Sequence, residues 1–235
     1  MSVIPLADSH FALVSDGGIQ DEALRLIDLD ALANGGDPVA SYVPFPRPSS
    51  LFYGMAFLPL DRALASGGGD GVVYAFDVDL EAGKIARAPG RDVQIGPGKD
   101  GATYYVGPIA VTKDGSRFLT APSDHAQEIQ IYSLAPDDYG AKLGAIAIPP
   151  AKDSHSLFDL VRDPFEPTGH VFYATDQSRA AILEIDAEKA TITRSIQVEK
   201  NPSQIVFLDA TYLLVTETDG DSIAVVNRER LGVLG

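Results

Sequence analysis

The chain has 235 residues, with 33 acidic against 18 basic side chains for a formal net charge of −15, 45% hydrophobic residues and no cysteine. That charge repels phosphate backbones and excludes nucleic acid as a partner, and the missing cysteine excludes disulfides and thiolate metal sites. No apolar run approaches the roughly 18 residues a membrane-spanning helix needs, while the hydrophobic share supports a sizeable core and 22 glycines with 16 prolines imply many turns.

Residues 1–8, MSVIPLAD, carry no basic segment and no long apolar stretch, so they are not a signal peptide and read as a strand already under way. An apolar run at 11–16, FALVSD, ends on a hydroxyl residue and an acid. An alternating run follows at 24–28, LRLID, and another at 39–43, VASYV. Residues 23–33 come nearest to a helical stripe, but Leu24, Leu26 and their neighbours fit a strand better, and no helix is expected. The second unit repeats the order with GMAF (54–57), ALASG (63–67), VVYAFD (72–77) and RDVQI (91–95). The third has IAV (109–111), RFLTA (117–121), IQIYS (129–133) and LGAIAI (143–148), and the fourth FDLV (158–161), VFYATD (171–176), AILEID (181–186) and TRSIQV (193–198). The fifth has QIVF (204–207), YLLVTE (212–217) and IAVVN (223–227). One hydroxyl residue closes the second run of every unit: Ser15, Ser66, Thr120, Thr175 and Thr216. Period-2 alternation predicts strands with one face buried. Four strands per unit, at a period of about 50 residues, predict an all-β fold built of four-stranded antiparallel propeller blades.

Two stretches, GPIAVTKDGSRFLTA (107–121) and NPSQIVFLDATYLLVTETDGDSIAVVN (201–227), resemble the YVTN β-propeller repeat. That repeat reads roughly Pro-x-x-Ile-Ala-Val, a turn such as Asp-Gly, Tyr-Val-Thr-Asn, a polar turn and Val-x-Val-Ile-Asp. The resemblance covers all five units and is loosest in the second, where Gly67-Gly68-Gly69 replaces the polar turn. It implies a propeller and says little about function; similar proteins include lactonase-like enzymes, surface-layer repeats and quinoprotein-type propellers. The blades are expected at 1–46, 47–98, 99–151, 152–200 and 201–235, in one domain. The first is expected to lack a lead-in strand and the last to be incomplete. Because the resemblance implies seven blades, the chain reads as part of a longer protein; a five-bladed ring missing its outermost strand is the alternative. An incomplete ring would leave apolar flanks on the first and fifth units, through which copies would self-associate.

In such a blade, the loop between the second and third strands shares a rim with the loop leading to the next blade, and ligand sites gather on that rim. The loops concerned are 16–22, 67–71, 121–128, 176–180 and 217–221 within units, and 46–53, 96–106, 150–157 and 199–203 between them. They supply the ligand-binding candidates. Lys99 and Tyr104 lie in GPGKDGATYYVG (96–107), which lacks the spacing of a Walker A loop. His125 and His155 each have an aspartate within two residues, Asp124 and Asp153, that could orient the ring as a base or ligand. Asp153-Ser154-His155 is not a catalytic triad, because triads converge in space rather than in sequence. Arg179 offers a cation to an anionic group, and Glu217 completes the set. In Glu217-Thr218-Asp219-Gly220-Asp221, Asp219-Gly220 matches a two-residue hairpin turn. The segment is therefore expected to be a turn first. No cofactor is predicted and the chain offers no haem motif; Asp176, Glu217 and Asp219 form the candidate set should calcium or magnesium bind. The preferred reading is a non-catalytic scaffold or binding module of a bacterial envelope or exterior protein, whether periplasmic, cell-surface or secreted. It would take a protein or small-molecule ligand on the rim. The alternative is a lactonase-like hydrolase opening a cyclic ester. Thr216-Glu217 resembles the Asn-Glu at that strand end in lactonase-type propellers, but a His-Pro-Arg-His-like element is missing.

Overall fold

A computed structural model describes residues 2–6, 9–16, 22–46, 49–96, 104–122, 127–149, 156–229 and 232–234. Contacts divide the chain into two compact units, Met1–Pro97 with Thr103–Val106, and Gly98–Ala102 with Gly107–Gly235. The first unit holds one sheet of β1 (Ser2–Pro5), β2 (Phe11–Asp16), β3 (Glu22–Asp28) and β4 (Val39–Phe45), in that order, with a helical turn α1 (Leu29–Ala33) between β3 and β4. Its second sheet is built from β5 (Met55–Leu58), β6 (Arg62–Ser66), β7 (Val72–Asp79), β8 (Lys84–Arg87) and β9 (Val93–Gln94). The third sheet, in the second unit from Gly107 onward, is made of β10 (Val106–Val111), β11 (Arg117–Pro122), β12 (Glu128–Ser133) and β13 (Lys142–Ala147). The fourth comprises β14 (Leu157–Arg162), β15 (Val171–Asp176), β16 (Ala181–Asp186) and β17 (Thr191–Gln197). The fifth comprises β18 (Pro202–Phe207), β19 (Tyr212–Glu217), β20 (Ser222–Asn227) and β21 (Gly232–Leu234). The fold class is all-β, with five antiparallel β-propeller blades. Among the described residues no helix is long and apolar enough to cross a membrane.

Three details differ from the expectation. The first sheet does have a lead-in strand, β1, in register from Ser2↔Ser15 to Pro5↔Ala12. The fifth sheet has its fourth strand, with Val225↔Leu234 and Asn227↔Gly232 paired. And α1 is helical, because Asp28 caps it: its Oδ1 accepts from the backbone N–H of Asp30 at 2.9 Å and of Ala31 at 3.0 Å, the ordinary N-cap arrangement. In the second sheet the outer strand is split, with β8 and β9 both pairing to β7. Across the gap, Ala75 donates its N–H to Asp92 Oδ1 at 3.1 Å and accepts from Ala88 N at 2.9 Å, so both of its backbone groups keep a partner at the interruption.

Within each unit, alternation places apolar faces of neighbouring sheets against one another. In the first unit Leu13, Leu24 and Leu26 share a core with Ala63, Ala65, Tyr74 and Phe76. The triple glycine at 67–69 follows from this packing. A Cβ on Gly67 would stand 2.7 Å from the Tyr74 ring, and one on Gly68 or Gly69 3.2 Å from the Tyr105 ring. In the second unit Tyr173, Ile182 and Ile196 of the fourth sheet pack on Ile205, Leu213, Val215, Ala224 and Val226 of the fifth.

The five hydroxyl residues do one repeated job, joining the second strand of each sheet to the first. Ser15 Oγ accepts from Ser2 N at 3.1 Å, Ser66 Oγ from Gly54 N at 3.0 Å, Thr175 Oγ1 from Asp159 N at 2.9 Å and Thr216 Oγ1 from Gln204 N at 3.0 Å. In the third sheet the corresponding residue is Pro108, which has no N–H, and Thr120 Oγ1 instead donates to its carbonyl at 2.8 Å. In the fourth and fifth sheets the pairing shifts register between Leu157/Leu160 and Pro202/Ile205, and the hydroxyl takes up an N–H inside the irregular stretch. Thr175→Val keeps the side-chain shape but orphans the Asp159 N–H. We expect it to cost about 1–2 kcal/mol and lower the melting temperature by roughly 2–4 °C per kcal/mol. An unchanged melting curve would show that the N–H finds another acceptor.

Candidate functional site

Three segments of the second unit converge at the loop end of its fourth and fifth sheets. The first is a 3₁₀ turn, Gln177–Arg179, capped by Asp176, whose Oδ1 accepts from Arg179 N at 3.3 Å; it ends on a left-handed Ala180 with φ of 50°. The second contains Asn201, with φ of 48°, a conformation asparagine tolerates better than most residues. Its carbonyl accepts from Thr218 N at 3.1 Å and its amide donates to Asp219 Oδ2. The third is the acidic loop 218–221. Glu217 pairs with Ser222 across it, the Gly220 N–H donates to Glu217 O at 3.1 Å, and the left-handed residue is Asp221 with φ of 49°. The loop therefore has four residues with the bend closed at Asp221, rather than a two-residue Asp219-Gly220 turn.

These segments enclose a cleft of about 400 Å³. Phe158 and Gln177 lie on it from the fourth sheet, and Asn201, Ser203, Gln204, Thr218 and Asp219 from the fifth. The chemistry is mostly neutral: three amides, two hydroxyls, an exposed ring and one carboxylate that is already bonded to Asn201. The Ser203 hydroxyl is 2.8 Å from Thr216 Oγ1, so it has a hydroxyl rather than a base as its neighbour.

Behind the cleft, carboxylates hold the backbone. Glu217 is buried; its Oε1 accepts from Glu199 N at 2.6 Å and its Oε2 from the Ser222 hydroxyl at 2.8 Å. It fastens the segment arriving from the fourth sheet to the hairpin of the fifth. The first unit uses the same device: Glu22 Oε2 accepts from Leu51 N at 2.6 Å, and Asp70 Oδ2 from Ser50 N at 2.8 Å and from the Tyr74 hydroxyl at 2.5 Å. Burial, together with that bond to Asp70, pushes the Tyr74 phenol well above its usual range. Asp159 bridges the innermost strands of the fourth and fifth sheets. Its Oδ2 accepts from Ile205 N at 2.8 Å and its Oδ1 from Leu160 N at 2.9 Å. Burial raises its pKa above the ordinary aspartate value, against the pull of those two N–H groups. In the sequence Asp159 has one signal, an acid inside the apolar run FDLV, and it is not among the candidates named above.

Of the residues singled out from the sequence, Asp219 lines the cleft. Asp176 is buried at its edge, with Arg179 Nε 4.0 Å from its Oδ2. Arg179 also donates from Nη2 to Pro149 O at 2.6 Å. Tyr104 is buried within the first unit, whereas the neighbouring Tyr105 is exposed, its ring edge-on to Phe52 at 4.9 Å. Lys99, His125, Asp153 and His155 lie outside the described residues. Among the described residues, the one set of three His, Asp or Glu side chains with ligand atoms within 4.8 Å of one another is His10, Asp28 and Asp30. Asp176, Glu217 and Asp219 do not form such a set, and Asp28 is already occupied in capping α1. Phe158, Gln177, Asn201, Ser203, Gln204 and Thr218 were missed. The loops that carry most of them were marked by their turn composition, but an amide or hydroxyl in a turn has no signature of its own.

No protein-family model matches the sequence, and no curated protein does. The propeller part of the sequence resemblance rests on the five sheets.

Proposed function

We propose that the protein is a non-catalytic binding module whose ligand sits in the cleft between the loops of the fourth and fifth sheets. The observation that carries this reading is the lining: hydrogen-bonding amides and hydroxyls from Gln177, Asn201, Ser203, Gln204 and Thr218 beside the Phe158 ring. Amide groups offer a donor and an acceptor side by side, which suits vicinal hydroxyls, and an exposed aromatic ring suits the apolar face of a sugar ring. A neutral, polyhydroxylated ligand such as an oligosaccharide fits that lining best. A bacterial exterior setting accompanies the proposal and rests on the repeat resemblance.

The test is calorimetric titration of neutral oligosaccharides into the wild type, Gln204→Ala and Phe158→Ala. Saturable binding is expected, weakened about tenfold by either substitution, which corresponds to about 1.4 kcal/mol. Binding unaffected by both substitutions would place the ligand elsewhere. Turnover of a lactone by the wild type, lost in Asp219→Asn, would overturn the non-catalytic reading.

A further inference from the structure

A second surface stands apart from the cleft and concerns how the sheets stack. In the second unit one face of the fourth sheet is covered by the fifth: Tyr173 is 1% and Ile182 0% exposed, both within the core shared with Ile205, Leu213 and Val215. The registers allow position-by-position comparison. Thr175 pairs with Ile182, and Thr216 with Ile223; Tyr173 pairs with Val161, and Leu214 with Val206. Ile223, Leu214 and Val206 therefore occupy in the fifth sheet the places of Ile182, Tyr173 and Val161 in the fourth. Yet Ile223 is 61% and Val206 57% exposed. A face of the kind that is sealed on the fourth sheet stands open on the fifth.

The first sheet shows the converse. Aligned on Ser15 and Thr216, Val14 takes the place of Val215, and its partner Val3 that of Ile205. Ile205 is buried in the fourth–fifth packing, whereas Val3 is 57% exposed, with Tyr42 exposed nearby on Arg25, the cross-strand partner of Val14. The molecule thus carries an open face of the covering kind on its first sheet and an open face of the covered kind on its fifth.

We infer that these two faces pair between molecules: the fifth sheet of one copy packs on the first sheet of a second copy, repeating the packing the fourth and fifth sheets make within the chain. The two surfaces differ, so the contact is head-to-tail and can propagate. The apolar surface of Ile223 and Val206 on one side and of Val3 and Tyr42 on the other drives it, while the Arg25–Asp16 ion pair on the first sheet's face and the net charge of −15 oppose it, so salt should strengthen it by screening.

Sedimentation equilibrium of the full chain tests the idea. The wild type should exceed the 24.9 kDa chain mass as concentration and salt rise. Ile223→Asp blocks one face and Val3→Asp the other, and each alone should stay at the chain mass. Mixed in equal amounts they should form a one-to-one dimer and nothing larger, because each retains the face the other lacks. Val206→Lys and Tyr42→Lys repeat the two blocks at other exposed positions, and the melting temperatures of all four should stay near the wild type. A wild type that remains at the chain mass in high salt overturns the inference, as does a mixture that fails to dimerise or a single variant that still associates.

Discussion

Arg228→Met is expected to cost the fold about 3–5 kcal/mol, the usual result of breaking a buried ion pair from one side. Arg228 follows β20 and reaches back to the fourth sheet, where its guanidinium pairs with the buried carboxylate of Asp163. It also donates to the Tyr173 hydroxyl at 3.3 Å and to Ala210 O at 2.6 Å, and its charged end lies 5.4 Å from the centres of the Tyr173 and Phe207 rings. Methionine would preserve much of the contact with the rings while leaving the Asp163 carboxylate buried without its cation. The remaining Asp163 bond, accepted from Phe165 N at 2.9 Å, is too little to replace it. The double variant Arg228→Met, Asp163→Asn removes both charges and should recover part of the loss. Urea unfolding measures all three chains; a loss under about 1 kcal/mol would mean the pair behaves like an exposed salt bridge.

Glu217→Ala should be the next most damaging change, at about 2–3 kcal/mol, since both carboxylate oxygens hold hydrogen bonds and bonds to a charged group are the stronger kind. The substitution strands the Glu199 N–H and the Ser222 hydroxyl. Glu217→Gln should be far milder. Its Oε1 can still accept from Glu199 N, and the Ser222 hydroxyl can turn to accept from the new amide. The order of the two variants separates a backbone clamp from a ligating or catalytic carboxylate. A clamp tolerates glutamine and suffers from alanine in melting temperature. A carboxylate whose negative charge is essential would lose its activity or its ion with glutamine as completely as with alanine, at little cost in stability. Near-equal melting temperatures for the wild type and the alanine variant would refute the clamp.

Much of the fold is visible in the sequence because it depends on local chemistry. Alternation along YLLVTE or VFYATD follows from the two-residue period of a strand, and each segment carries that period without reference to any other. The recurrence of Ser15, Ser66, Thr120, Thr175 and Thr216 is equally legible, since the same hydroxyl answers the same need in each sheet. Departures occurred where a single side chain changed the local outcome. Asp28 turned a strand end into a helical turn, and Asp221 took the left-handed residue of the acidic loop.

Long-range pairing is another matter. Asp163 and Arg228 are 65 residues apart, and Asp159 meets the Ile205 N–H across 46. Phe158, Gln177 and Gln204 reach one cleft from three separate segments. Nothing in their neighbouring residues distinguishes them from other polar loop and strand-edge residues. Which backbone N–H is left unpaired after the ladders form, and which carboxylate is close enough to take it, depends on how the sheets stack. Burial then sets the consequence: the same acid that would cap a turn in water becomes, at Glu217 or Asp163, a group whose partners cannot be exchanged for solvent.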